Sequence, residues 1–250
     1  MEVKGSTDKT LPVSNTGSTR DPILKFLDRF GLLILAVLIL VVLPTFLSMF
    51  RLLLAAKYLS FAFPAVGIVL IWGYGGILSL GQAAFFGLGS YMMAMFLKLE
   101  SAANPDSSSG TALASFFGTE GLPDFMAWNS IEKLPWWWEP FHYVWFTIPA
   151  ILIIPPLIAF ALGYANFRKR VSGVYFAIVT LAFSAIMMIV IIGNQGLTGG
   201  VNGINDFKTF MGMDLDNDQA KLVLYLITCI LLLLAIRVGQ FILRSRAGRI

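Results

Sequence analysis

Long apolar runs at 30–50, 58–78, 82–99, 143–165, 173–193 and 222–243 leave this chain few folds to choose from. Each is close to the ~20 residues that a helix needs to cross the hydrocarbon of a bilayer. In lipid the backbone must satisfy its own hydrogen bonds, which makes a helix the natural form of each run. Charged residues make up 13% of the sequence, against about 25% in soluble domains. These features define an all-α polytopic membrane protein with about six transmembrane helices. The formal net charge of +4 is explained by basic residues at cytoplasmic helix ends, so no nucleic-acid partner is expected.

Cys229 is the only cysteine and His142 the only histidine. An intrachain disulfide, a cysteine metal cluster and a multi-histidine metal site are therefore excluded. No metal and no cofactor are expected.

Residues 1–22 are polar, rich in Ser, Thr, Gly and Lys, and read as a disordered cytoplasmic N-terminus. Residues 23–250 read as one transmembrane domain. Pro44 lies near the outer end of the first span, and Arg51 and Lys57 flank a short linker. Pro64 falls in the first turns of the second span, where a missing donor is least costly. The sequence IWGYGGILSLGQAAFFGLGSY at 71–91 then interrupts the apolar pattern. It is glycine-rich and free of charge, and it implies a tight connection within a broken, short helix pair at 58–99. Such a break must be sheltered inside a bundle or beside a water-filled path. Gly73, Gly76, Gly81 and Gly87 are expected to serve close helix packing, Gly87 within a stripe of small residues with Ala83, Ser90 and Ala94.

Residues 98–141 form the longest polar insertion, and Trp136, Trp137, Trp138 and Trp145 fit an aromatic belt at the membrane surface. Pro149, Pro155 and Pro156 are expected to kink or break the fourth span. The basic FRKR stop follows at 167–170. The glycine- and asparagine-rich loop NQGLTGGVNGINDF covers 194–207. With the N-terminus inside, twelve of the eighteen Lys and Arg residues lie on the cytoplasmic side, and the Trp-rich loop lies outside.

No Asp, Glu, Lys or His lies in the middle of spans two to five. A proton relay of the kind that drives many carriers is missing. So are the acid, base and nucleophile that an enzyme needs, and a GxxxxGK[ST] phosphate loop. What remains is a neutral path for a small neutral or zwitterionic solute, with energy supplied by a partner. Its candidates are Tyr74, Ser79, Gln82 and Tyr91 at the broken spans and Asn194, Thr198, Asn202 and Asn205 on the outer side. Their amides and hydroxyls can both donate and accept hydrogen bonds. Helix capping by Gln82 and turn formation by the asparagines are the plainer alternatives. A passive urea-type channel would share this lining.

Three segments resemble a known family. GYGGILSLGQAAFFGLGSYMMAM is similar to the GYxGxLSLGxAAFFGxGAY region of the branched-chain amino acid permeases of ATP-binding cassette importers. GVYFAIVTLAFSAI followed by NQGLTGGVNGI resembles their second signature. RSRAGRI resembles the start of the segment that couples such permeases to their ATPase. Within the family, PDFMAWN, LPWWWEPF and NDFKTFMG resemble the urea permease subgroup, whereas LTGGVNG is nearer the general amino acid permease loop. The resemblance implies a subunit of the bacterial plasma (inner) membrane that works by alternating access. A second homologous permease, two cytosolic ATPases and an extracytoplasmic solute-binding protein would be its partners, with the lipid bilayer around it. Urea or a short amide is the first expected solute, and branched-chain amino acids are the alternative. Arg244, Arg246 and Arg249 would face the ATPase. The family usually continues for several more spans, so the sequence is expected to be C-terminally incomplete.

Overall fold

In the computed structural model, which describes residues 22–103, 122–169 and 173–245, α1 (Pro22–Val37) passes through a π turn at Leu38–Val42 into α2 (Leu43–Phe46). The Leu43 N–H bonds to the Leu38 carbonyl, where regular α geometry would pair it with Ile39. The Ile39 carbonyl so released accepts the Tyr225 hydroxyl at 2.5 Å. Ile39, Leu52, Tyr225 and Cys229 form a buried cluster around that bond. Extended backbone at Leu47 and Ser48 ends the segment.

α3 (Met49–Gly75) is longer at its start than the expected span at 58–78. Residues 51–57 are helical, not a linker, because Arg51 and Lys57 sit in early turns that a helix tolerates well. Pro64 lies in the helix interior rather than its first turns. Gly76, at φ +63°, ends α3 in the left-handed conformation that glycine adopts without penalty. After the non-helical residues 77–81 comes α4 (Gln82–Ala103), then α5 (Asp124–Trp128).

α6 (Val144–Arg168) runs unbroken through Pro149, Pro155 and Pro156, against the expected break. Packing supports it: a Cβ on Gly89 of α4 would lie 3.6 Å from the Ile151 side chain and 3.8 Å from Pro155. α7 (Val174–Gly193), the single-turn α8 (Gln195–Thr198) and α9 (Asp218–Arg244) complete the helices, with the two-residue strands β1 (Thr209–Phe210) and β2 (Met213–Asp214) before α9. α3 packs along α9 and α4 along α6. α4 also touches α3 and α7, so it joins the two packed pairs.

The fold is therefore all-α and polytopic. Among the described residues α3, α6, α7 and α9 are long and apolar enough to cross a membrane. Phe30–Phe46 is a shorter apolar helix, and α4 carries Lys98 and Glu100 near its end. The expectation for residues 1–21 lies outside the described residues. Trp138 is fully buried against Phe125 and Trp137, so it belongs to a core and not to an aromatic belt. Trp136 and Trp145 are exposed.

The expected packing glycines divide. A Cβ on Gly73 or Gly87 would meet nothing within 4 Å, whereas one on Gly81 would lie 2.8 Å from the Thr180 carbonyl oxygen. Gly67, Gly89 and Gly239 make ordinary contacts with other helices, at Gln82, Ile151 and Leu70. Gly81→Ala is expected to destabilise by roughly 1–3 kcal/mol, since backbone cannot move aside as a side chain can. Gly87→Ala is expected to leave stability unchanged or higher. Thermal midpoints of the two variants in detergent check this; equal midpoints would contradict the close contact.

Candidate functional site

The break at 76–81 opens a cavity of about 490 Å³ between the ends of α3, α4, α6 and α7. Ile71, Phe85, Pro155, Pro156, Leu162 and Phe176 supply apolar wall. Phe167 stacks on Phe176 at 5.3 Å and joins α6 to α7 beside it. The polar side chains in the lining are Ser79, Gln82 and Thr180. The Thr180 hydroxyl is engaged: it lies 3.0 Å from the carbonyls of Phe176 and Ala177 and accepts the Leu80 N–H at 3.1 Å. Ser79, 4% exposed, and the half-buried Gln82 make no side-chain hydrogen bond among the described residues. A hydroxyl and a carboxamide thus stand in an otherwise mostly apolar lining with hydrogen-bonding capacity unused by the chain.

The eight candidate path residues do not form one line. Gln82 and Tyr91 are nine positions apart on α4, a rise of about 14 Å. At the far end Tyr91 donates to the Thr198 carbonyl. Thr198 donates to the Asn194 carbonyl at 2.7 Å, and the Asn194 amide donates to the Val190 carbonyl at 2.8 Å. These three polar groups tie the end of α7 and α8 to α4. The Asn205 carbonyl accepts from Lys98 Nζ at 3.1 Å. Asn202 is exposed on the loop, and Tyr74 is exposed outside the cavity lining. The LTGG turn has a steric cause: a Cβ on Gly199, at φ +77°, would lie 2.5 Å from the Gly203 carbonyl oxygen.

A charged cap holds this far end of α4, and the sequence pattern did not reveal it. Lys98, with its side chain 5% exposed, reaches Asp124 at 2.7 Å and Asp206 at 4.0 Å. Glu100 is buried and accepts the N–H groups of Met211 (3.1 Å) and Gly212 (2.8 Å). Those residues form the turn between β1 and β2, both with positive φ. Ser101 accepts the Lys208 N–H at 2.9 Å. The only sequence signal was a pair of charges at the end of an apolar run, which reads equally as the end of a span. Arg244 is exposed in the last turn of α9; Arg246 and Arg249 lie outside the described residues. No group of His, Cys, Asp or Glu among the described residues is arranged to hold a metal ion.

Comparison with known proteins places these features in a family. Residues 48–250 match the family of branched-chain amino acid transport system permease components, and the chain belongs to that family. The chain is 24% identical over 206 residues to the high-affinity branched-chain amino acid transport system permease proteins LivM of Salmonella typhimurium and Escherichia coli. Each match covers 74% of this chain and 39% of the relative, so the chain spans well under half of those proteins. No solved structure matches significantly.

The cap has a pH signature. Burial raises the Asp124 carboxyl, but the hydrogen bond and charge of Lys98 and two backbone N–H groups outweigh it, leaving the group below its ordinary range. A depressed carboxylate contributes stability above its unfolded value near 3.9, and that contribution is lost as pH falls through the lower folded value. Asp124 is 42% exposed, so solvent screening holds the contribution to about 1 kcal/mol or less. Amide exchange at 122–128 and 205–208, corrected for intrinsic rates, is expected to quicken as pH falls below about 4. Asp124→Asn is expected to abolish that dependence; its persistence in the variant would assign the titration to another group.

Proposed function

From this family membership we propose that the chain is the transmembrane permease part of an ATP-binding cassette importer of the bacterial plasma membrane. In this reading it carries branched-chain amino acids inward by alternating access. It pairs with a second homologous permease, takes solute from an extracytoplasmic binding protein, and is driven by two cytosolic ATPases. With the N-terminus inside, the cavity lies at the cytoplasmic ends of the helices and the charged cap lies outside. Arg244 then faces the ATPase.

The observation that carries the solute assignment is the cavity itself. Its volume lies within the range of small-molecule sites, and its walls are apolar apart from the engaged Thr180, one open hydroxyl and one open carboxamide. That division suits an aliphatic side chain with a polar α-carbon end. Urea has no apolar part to place against Ile71, Phe85 and Phe176. Solute can favour one access state only by binding the two states differently, and Ser79 and Gln82 on the broken connection are placed to sense such a change.

The second reading, urea or a short amide, rests on the segments PDFMAWN, LPWWWEPF and NDFKTFMG. Two of those segments supply Phe125, Met126, Trp138 and Phe141 to the core beneath the outer cap, away from the cavity lining. Their resemblance therefore reports how the cap packs more directly than what the cavity holds.

Uptake of labelled leucine and labelled urea by the assembled importer in proteoliposomes tests both readings. The expected result is ATP-dependent leucine uptake that Gln82→Leu and Ser79→Ala each reduce about tenfold, the effect of losing one hydrogen bond of about 1.4 kcal/mol. ATP-dependent uptake of urea alone would replace the first reading by the second. Uptake that persists without ATP or the ATPases would replace the importer by a passive channel.

A further inference from the structure

We propose that Thr180 is a positioning residue that latches the α3–α4 break to α7 and thereby fixes where Ser79 and Gln82 stand in the cavity. This inference rests on the cavity being the solute site. Among the described residues, the Leu80 N–H to Thr180 Oγ1 contact is the single hydrogen bond from 77–81 to a distant part of the chain. Within the break's own neighbourhood, Ile77 N–H reaches back to the Ile71 carbonyl and Ala84 N–H to the Gly81 carbonyl. Only Leu80 looks across to another helix.

Thr180 is built for this contact. It is 2% exposed, and its hydroxyl proton is directed to the carbonyls of its own helix. Its oxygen is thereby left as an acceptor aimed at Leu80, and a hydroxyl that donates is a better acceptor. The next residue of the break meets the same threonine: Gly81 lies so close to the Thr180 carbonyl that a Cβ would be 2.8 Å from the oxygen. Two consecutive residues of the break are thus fitted to one residue of α7. Ser79 precedes this pair and Gln82 follows it. Phe85 stacks on Phe183 at 5.4 Å, which continues the α4–α7 contact from the latch. Any motion that opens the cavity between α4 and α7 must either carry the break with α7 or release the Leu80 N–H.

The test uses the assembled importer with Cys229→Ala and Ser79→Cys, and measures the rate at which a membrane-permeant maleimide labels the introduced thiol. Thr180→Val removes the acceptor and keeps the shape; Thr180→Ala removes both; Thr180→Ser keeps the hydroxyl. Labelling is expected to rise about tenfold with Val and Ala and to stay near the parent rate with Ser. In the Ser79 background the KM for leucine is expected to rise with Val and Ala and to return with Ser. Parent-like labelling with Ala or Val, or a rise with Ser equal to that with Val, overturns the latch. Labelling that follows the expected pattern while no variant carries leucine upholds the latch and rejects the solute reading instead.

Discussion

An interrupted helix in an apolar bundle leaves backbone donors and acceptors that lipid cannot satisfy, and the centre of this structure is arranged around that constraint. α3 stops at Gly75 and α4 starts at Gln82. The short connection between them is held by Thr180 at one residue and pressed against its carbonyl at the next. Because α4 also packs along α6 and touches α3 and α7, the way the break is satisfied fixes how both packed pairs meet. The cavity exists because the connection is non-helical there, and its two open polar groups stand on either side of the held residues.

The two ends of α4 treat their hydrogen-bonding groups differently. At the C-terminal end Tyr91, Thr198 and Asn194 direct their side chains to backbone carbonyls, and Lys98 and Glu100 bind loop backbone. Several of these contacts join residues more than a hundred positions apart in sequence. At the N-terminal end Ser79 and Gln82 remain open. Polar residues in a membrane protein are therefore not all equivalent as path candidates. Whether a side chain can serve a solute depends on whether its own backbone has already claimed it.

That distinction explains which parts were legible in the sequence. The apolar runs declared the helices, and the glycines at 73–76 declared the break, because both depend on local backbone chemistry. Helix starts were less legible: Arg51 and Lys57 resemble interface markers, yet α3 accommodates them. Pro155 and Pro156 signal a break locally, but the fit of α6 against Gly89 keeps the helix intact. Trp138 and the Lys98–Glu100 pair were misread or missed because their burial depends on partners elsewhere in the fold. Glu100 meets backbone 111 and 112 residues away, a separation that no local pattern encodes. Ser79 and Gln82 were legible as polar, but their openness emerged only once every neighbouring hydroxyl had been given its partner.

The π turn at Leu38–Val42 carries an implication for biogenesis. Its displaced Ile39 carbonyl is satisfied by Tyr225, 186 residues further along the chain. A ribosome delivers the first helix to the bilayer long before that phenol exists. Until α9 arrives, the carbonyl has only its own helix to turn to, which favours a regular α turn there. The wider turn is then a mark of completed insertion: the first helix takes its final form when the last described helix docks against it.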